Sequence, residues 1–192
     1  MQDFTRSAGG SAPLLEAALR QFAAVGFDGA SLQRIADEAG MSKSSVLYHF
    51  GSKESLLDAA LRPAVDDLRP LLAALGGIAD EGSQRAFLER FVDYLYEHRL
   101  AVAVLINHGQ ALAGHAVIDE ADALVRDLST RLTPAGSHDR DTVRFGVALA
   151  GAAFVLVAAD RWSAAPLPPV EVRAVLVDVL GELVLAQPAP SA

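Results

Sequence analysis

The chain has 192 residues, 52% of them apolar and 21% charged, with a formal net charge of −8 and no cysteine. That apolar fraction is ample for a packed core and excludes a wholly disordered chain. The missing cysteines exclude a disulfide framework and a thiolate metal site, which suits a reducing cytoplasm, the expected location.

Residues 1–10 are polar and glycine-rich, lack the apolar stretch of a signal peptide, and are expected to form a disordered arm. Ser11 caps a first helix, with Pro13 tolerated in its first turn. Leu15, Ala18, Leu19 and Phe22 make its apolar face, and Gly26 ends it. Ser31 caps a second helix striped by Leu32, Ile35, Ala36 and Ala39. Gly40 supplies the positive φ that turns the chain, and Ser42 caps a short third helix running to about Tyr48. Gly51-Ser52 stops that helix and caps a fourth. Two short helices joined by a glycine-containing turn, the second carrying small polar side chains, predict a helix-turn-helix.

In that motif the second helix enters the DNA major groove. Lys43, Ser44 and Ser45 stand at its N-terminal end, where side chains reach base edges, with Lys43 and Ser45 assigned to base reading. Tyr48 and His49 follow one turn later, placed for phosphate oxygens, which fix register without reading sequence. Lys53 sits at the start of the fourth helix, whose unpaired N–H groups make a ready phosphate site. With Ser31 at its cap, these residues are the candidate DNA-contacting set. The fourth helix runs toward Leu75, and Pro63 and Pro70 inside it predict a bend near Arg62-Pro63.

Helical spacing continues to the end of the chain. Phe87, Leu88, Phe91, Tyr94, Leu95 and His98 form one face of a fifth helix. Leu100 to Leu112 is a mainly apolar sixth, loosened by Gly109. Ile118, Ala121, Val125, Leu128 and Leu132 stripe a seventh, stopped by Thr133-Pro134. An eighth runs from about Ser137 to Ser163 and a ninth from about Pro169 to Ala186, and Pro188 to Ala192 reads as a disordered tail. No strand-like alternation occurs, so the expected class is all-α, with about nine helices.

The eighth helix is apolar all round from Phe145 to Ala159, which calls for burial on more than one side. At 15 residues this longest apolar run falls short of the roughly 20 needed to span a bilayer, so no membrane partner is expected. Phe145, Leu149, Ala152 and Leu156 suit the interior of the subunit. Val147, Gly151, Phe154, Val155, Ala158 and Trp162 suit a partner chain, and Val172, Val175, Val179 and Leu183 of the ninth helix extend that surface. Doubled by a two-fold axis, the eighth and ninth helices would make a four-helix dimer interface.

The motifs Ile35-Ala36, Gly40-Met41-Ser42-Lys43, Tyr48-His49-Phe50 and Ser52-Lys53-Glu54-x-Leu56-Leu57 stand in fixed order. Ala17-Ala18-Leu19-x-x-Phe22-Ala23-x-x-Gly26-Phe27 precedes them. Together they resemble the N-terminal signature of TetR-type (tetracycline-repressor-like) transcriptional regulators over roughly residues 11–60. Leu47 departs from the family's usual first tyrosine and Ala30 from its usual threonine, and both changes remove a phosphate contact.

The resemblance implies a helix-turn-helix DNA-binding domain over 11–60 and a ligand-binding and dimerisation domain over 61–186, with 187–192 as the tail. It implies a homodimer on a palindromic double-stranded DNA operator, released by a small, largely apolar effector. Leu68, Leu72, Phe91, Leu105, Leu112, Phe145 and Leu149 are the candidate apolar lining of a ligand cavity. Tyr94, His98, Asn107 and His108 are its candidate polar handles. Each of these also fits ordinary core.

The charge divides unevenly. Residues 1–62 hold six basic and seven acidic groups, so the remaining 130 carry most of the acidity. The only two lysines, Lys43 and Lys53, fall where DNA is expected. A head this close to neutral predicts modest non-specific affinity and dependence on two heads acting together. It also keeps open a second reading, a protein-interaction module without strong DNA binding. No nucleophile elbow, phosphate-binding glycine loop, or helical histidine pair for zinc occurs, so no enzyme activity, cofactor or metal is expected.

Overall fold

The computed structural model describes residues 8–75, 80–132, 139–162 and 169–185. Side chains are described for these except 8–10, 81, 132, 139–142, 145, 158–162, 169–170 and 184–185. Among the described residues there are nine α-helices, one 3-10 turn and no strand, so the protein is all-α.

α1 (Ala8–Gly29) begins ahead of the expected Ser11 cap, so residues 8–10 are helical. Residues 1–7 of the expected arm and the tail over 187–192 lie outside the described residues. The buried face of α1 is Leu14, Ala17, Ala18 and Phe22, while Leu15 and Leu19 are only half-buried. The sequence offers two overlapping apolar stripes on this helix. Packing against α2 (Leu32–Glu38) selects the one a residue earlier.

The turn after α2 is a Schellman motif. Gly40 has φ 68°, Met41 N–H donates to Ala36 O at 2.8 Å, and Gly40 N–H donates to Asp37 O at 3.1 Å. Only a residue at ease with positive φ ends a helix this way. Ser42 then caps α3 (Lys43–Phe50), its hydroxyl accepting from Ser45 N–H at 3.1 Å. Ser52 does the same for α4 (Lys53–Ala74), accepting from Ser55 N–H. Ser31 takes the extended cap conformation, but its side chain makes no cap bond.

α4 runs through Pro63 and Pro70 without a break, both prolines lying exposed. Each forfeits one backbone hydrogen bond. Burial of Leu56, Leu57, Ala60, Leu61, Ala64, Val65 and Leu68 along one stripe holds the helix across that loss.

The described residues form two compact units. The first holds α1 to α3, α4 as far as Val65, and residues 100–120; the second takes 66–99 and everything from 121 onward. α6 (Arg99–His108) passes into the 3-10 turn Gly109–Leu112 and on to α7 (Ala116–Leu132), of which residues 116–120 belong to the first unit. His108 Nε2–H donates to Ala23 O at 3.2 Å, close to the point where α1 breaks at Gly26 (φ 72°, ψ 174°). A Cβ at Gly26 would stand 3.3 Å from His108 Nδ1, so the bare glycine serves both the backbone turn and the close approach of the ring. The Arg62 guanidinium joins Glu120 at 2.7 Å and Asp58 at 3.1 Å.

In the second unit α5 (Glu81–Glu97), α8 (Asp139–Trp162) and α9 (Pro169–Leu185) pack pairwise. Asp80 and Ser83 close a reciprocal capping box at the start of α5. Phe87, Leu88, Phe91, Val92 and Leu95 are buried on α5, Ala148, Ala152 and Ala153 on α8, and Leu176, Val177 and Leu180 on α9. Arg173 of α9 grips Asp93 of α5 through both oxygens, and Arg144 of α8 donates twice to Leu183 O. On α7, Ile118, Ala121 and Leu128 are buried as the stripe predicts, but Val125 is exposed and Leu132 lies outside the described side chains. Among the described residues no single helix is long and apolar enough to cross a membrane.

Candidate nucleic-acid interface

α3 buries one side chain fully, Val46, half-buries Ser45 and Phe50, and turns Lys43, Ser44, Leu47, Tyr48 and His49 outward. Lys43, Ser44, Leu47 and Tyr48 follow one another at i, i+1, i+4 and i+5, which makes a continuous face on a helix of 3.6 residues per turn. Tyr48 is 84% exposed, its ring edge-on to that of His49 at 5.4 Å. A phenol and an imidazole held against each other on a surface present two donors at a fixed spacing. Ser45 is half-buried and its N–H is spent on the Ser42 cap. The hydroxyls of Ser42 and Ser44 lie 2.9 Å apart. Caps at both ends, Ser42 and then Gly51 donating to Leu47 O at 2.8 Å, hold this face rigid.

Lys53, expected at a phosphate, is engaged within the protein. Its Nζ donates to Phe27 O at 2.7 Å and Ala30 O at 3.2 Å, and lies 4.4 Å from the centre of the Phe27 ring. The last carbonyls of a helix lack intrahelical partners, and an ammonium satisfies them while meeting the negative end of the dipole. Lys53 therefore ties the C-terminal end of α1 to the start of α4. Sequence reasoning missed this because the carbonyls it serves belong to residues 26 and 23 positions earlier. Lys43, by contrast, lies exposed on the outward face of α3.

The candidate ligand residues do not all belong to one unit. Leu105, Asn107, His108 and Leu112 lie in the first, where Asn107 is exposed, Leu112 is buried and His108 is bonded to Ala23 O. His108 is thus a structural latch there, and the sequence signal for it was Gly26, which had no visible partner. In the second unit Leu68, Leu72 and Phe91 are buried, Leu149 is half-buried, and Phe145 is outside the described side chains. Tyr94 and His98 do come together, their rings 5.0 Å apart, and His98 Nε2–H donates to Asp67 Oδ2 at 3.0 Å. Burial, and then the charge of Asp67, push the Tyr94 phenol well above its ordinary range, so it stays a neutral hydroxyl. Asp67 was not foreseen, since nothing in its local pattern marks it.

Of the candidate interface residues, Val147 is 61% exposed and Val175 52%, with Gly151, Phe154, Val155, Val179 and Leu183 also exposed and Val172 half-buried. The side chains of Ala158 and Trp162 lie outside the described ones. The expected inward stripe of α8 is inward at Ala152 and half-buried at Leu149 and Leu156.

The tetR family of bacterial regulatory proteins matches residues 14–60, a span that contains α2, α3 and the start of α4. The HTH-type transcriptional regulator RutR of Escherichia coli (strain K12) is 36% identical over 123 residues, covering 58% of this chain and 58% of RutR. The HTH-type transcriptional repressor KstR2 of Rhodococcus jostii is 32% identical over 128 residues, covering 67% of this chain and 62% of that protein. The chain thus spans less than two thirds of the length of either relative. The solved structure of the ketosteroid transcriptional regulator KstR2 of Mycobacterium tuberculosis matches with a TM-score of 0.67 and 20% identity, over 95% of each chain, a likeness of fold. The family signature sits on the two capped helices that present Lys43, Ser44 and Tyr48, and the chain belongs to the TetR family of bacterial regulatory proteins.

Proposed function

We propose that the protein is a cytoplasmic transcriptional repressor. In this reading it binds a palindromic double-stranded DNA operator as a homodimer and is released by a small, largely apolar effector. The observation that carries the reading is the outward face of α3, with a cation, hydroxyls and an exposed tyrosine on a doubly capped helix. Lys43 and Ser44 reach base edges, and Tyr48 and His49 hold phosphates. Ser31 and Ser45 stand behind them at the caps.

The exposed valines of α8 and α9 support self-association, since contiguous apolar surface on a lone chain marks an interaction site. Two half-sites on one face of DNA lie one turn, roughly 34–36 Å, apart. For the effector, the second unit supplies the buried apolar Leu68, Leu72 and Phe91 and the paired rings of Tyr94 and His98. The relative KstR2 of Rhodococcus jostii is a transcriptional repressor. On this reading 11–60 is the DNA-binding domain, and 61–186 carries ligand binding and dimerisation.

A gel shift with the DNA upstream of the protein's own gene, together with light scattering at micromolar concentration, tests the reading. A retarded band and a dimer mass are expected. A monomer with no shift on that DNA would favour the protein-interaction alternative.

A further inference from the structure

Leu47 is the residue on α3 that the roles above leave unused. It is 39% exposed, one turn after Lys43 and Ser44 and adjacent to Tyr48, on the same outward face. A single exposed leucine on a protein surface is ordinary. Its position decides the matter, for no other large aliphatic side chain is exposed on α3, and the rest of that face is polar or aromatic. Leucine has no donor, so it gains nothing from a phosphate oxygen. Laid against the major-groove edge of guanine, cytosine or adenine, it would cover donors and acceptors without pairing them, which is costly. The major groove offers one apolar feature, the C5-methyl group of thymine.

We propose that Leu47 is a specificity-determining residue that reads a thymine methyl in each half-site of the operator. This rests on the DNA-binding reading above and adds the identity of one base to it. Lys43 and Ser44 then read polar edges of neighbouring pairs, and Leu47 supplies discrimination at a pair where hydrogen bonding does not. Its carbonyl accepts from Gly51 N–H, so the side chain stands on a fixed turn rather than a fraying end.

The test uses the full-length protein and a duplex selected from a random double-stranded library. Each thymine of the selected site is replaced in turn by deoxyuridine, which lacks only the methyl group. At one symmetry-related position the wild type should lose about fourfold in affinity per half-site, the worth of burying one methyl-sized group. At that position 5-methylcytosine should be preferred to cytosine by a similar factor. Leu47→Ala should bind the thymine and uracil duplexes alike, with an unchanged salt slope. Leu47→Val should keep part of the discrimination, and circular dichroism checks that both variants fold.

A selected site in which no uracil replacement matters, or a Leu47→Ala protein that still discriminates, overturns the inference and leaves the DNA-binding reading standing. Failure to select any sequence overturns both.

Discussion

α3 and α8 both leave much of their surface uncovered in the single chain, yet what they leave uncovered differs in kind. α3 hides Val46 and exposes an ammonium, a hydroxyl and a phenol. α8 hides the small residues Ala148, Ala152 and Ala153 against α9 and α5, and exposes Val143, Val147 and Val155. An exposed polar face is content in water, and gains from a ligand only where oriented acceptors replace that water. A face of exposed valines gains from any apolar partner of matching shape. Exposure alone thus identifies neither site; the proposed function rests on the chemistry of the exposed groups, which suits one helix to nucleic acid and the other to a second copy of the chain.

The largest effect should follow from breaking the platform under α3. Phe22 is fully buried between α1 and its neighbours, and Phe22→Ala should cost about 3–5 kcal/mol. Loss of sequence-specific DNA binding is expected with the dimer mass retained in light scattering, since Phe22 is remote in sequence from the α8–α9 surface.

Next comes the other side of the comparison. A Cβ at Gly151 meets nothing within 4 Å in the single chain, so Gly151→Arg should leave each chain folded. Monomer in light scattering, native helical circular dichroism, and a loss of at least about 100-fold in operator affinity are expected, because two linked half-site contacts are replaced by one. A Gly151→Arg dimer of unchanged affinity would separate α8 from self-association.

Two lysine variants sharpen the reading of α3. Lys53→Ala strips a charged donor from two helix-end carbonyls and should destabilise the fold by about 1.5–3 kcal/mol, lowering Tm while leaving the salt dependence of DNA binding unchanged. Lys43→Ala should leave Tm unaltered and flatten the plot of log affinity against log salt by about one if it neutralises a phosphate, or relax specificity if it contacts a base. Exchanged behaviours would exchange the two roles.

The smallest effect concerns the Arg20–Glu38 pair that joins α1 to α2. The hydrogen bond from Arg20 holds the Glu38 carboxyl below its ordinary 4.5. A depressed carboxylate stabilises the fold at pH values above its unfolded pKa, and that contribution fades as pH falls through the folded one. Both groups are substantially exposed, so the pair is worth roughly 0.2–1 kcal/mol. Glu38→Gln should therefore lower Tm slightly at pH 7 and make no difference well below pH 4.5, as thermal melts at the two pH values would record.

Most of the fold was legible because helices are written locally. Gly40, Ser42, Gly51 and Ser52 mark their turns and caps by residue type alone, and α3 fell where those residues put it. Gly109 likewise marked the point where α6 passes into a 3-10 turn. What was not legible depends on partners distant in sequence. Which stripe of α1 is buried follows from α2, and the use of Lys53 follows from carbonyls at Phe27 and Ala30. The pairing of His108 with Ala23 spans 85 positions. Apolar character describes every core, so it does not single out ligand residues, and two of the apolar candidates, Leu105 and Leu112, belong to the first unit.

The central claim, that α3 lies against DNA bases, is tested most directly by photocross-linking. A selected duplex carrying 5-iodouracil in place of thymine is irradiated with the full-length protein, and the adducts are located by mass spectrometry. The account predicts adducts within α3, on the face of Lys43, Ser44, Leu47 and Tyr48, since the iodine stands where the thymine methyl was. Adducts confined to residues outside α2 and α3 would contradict it.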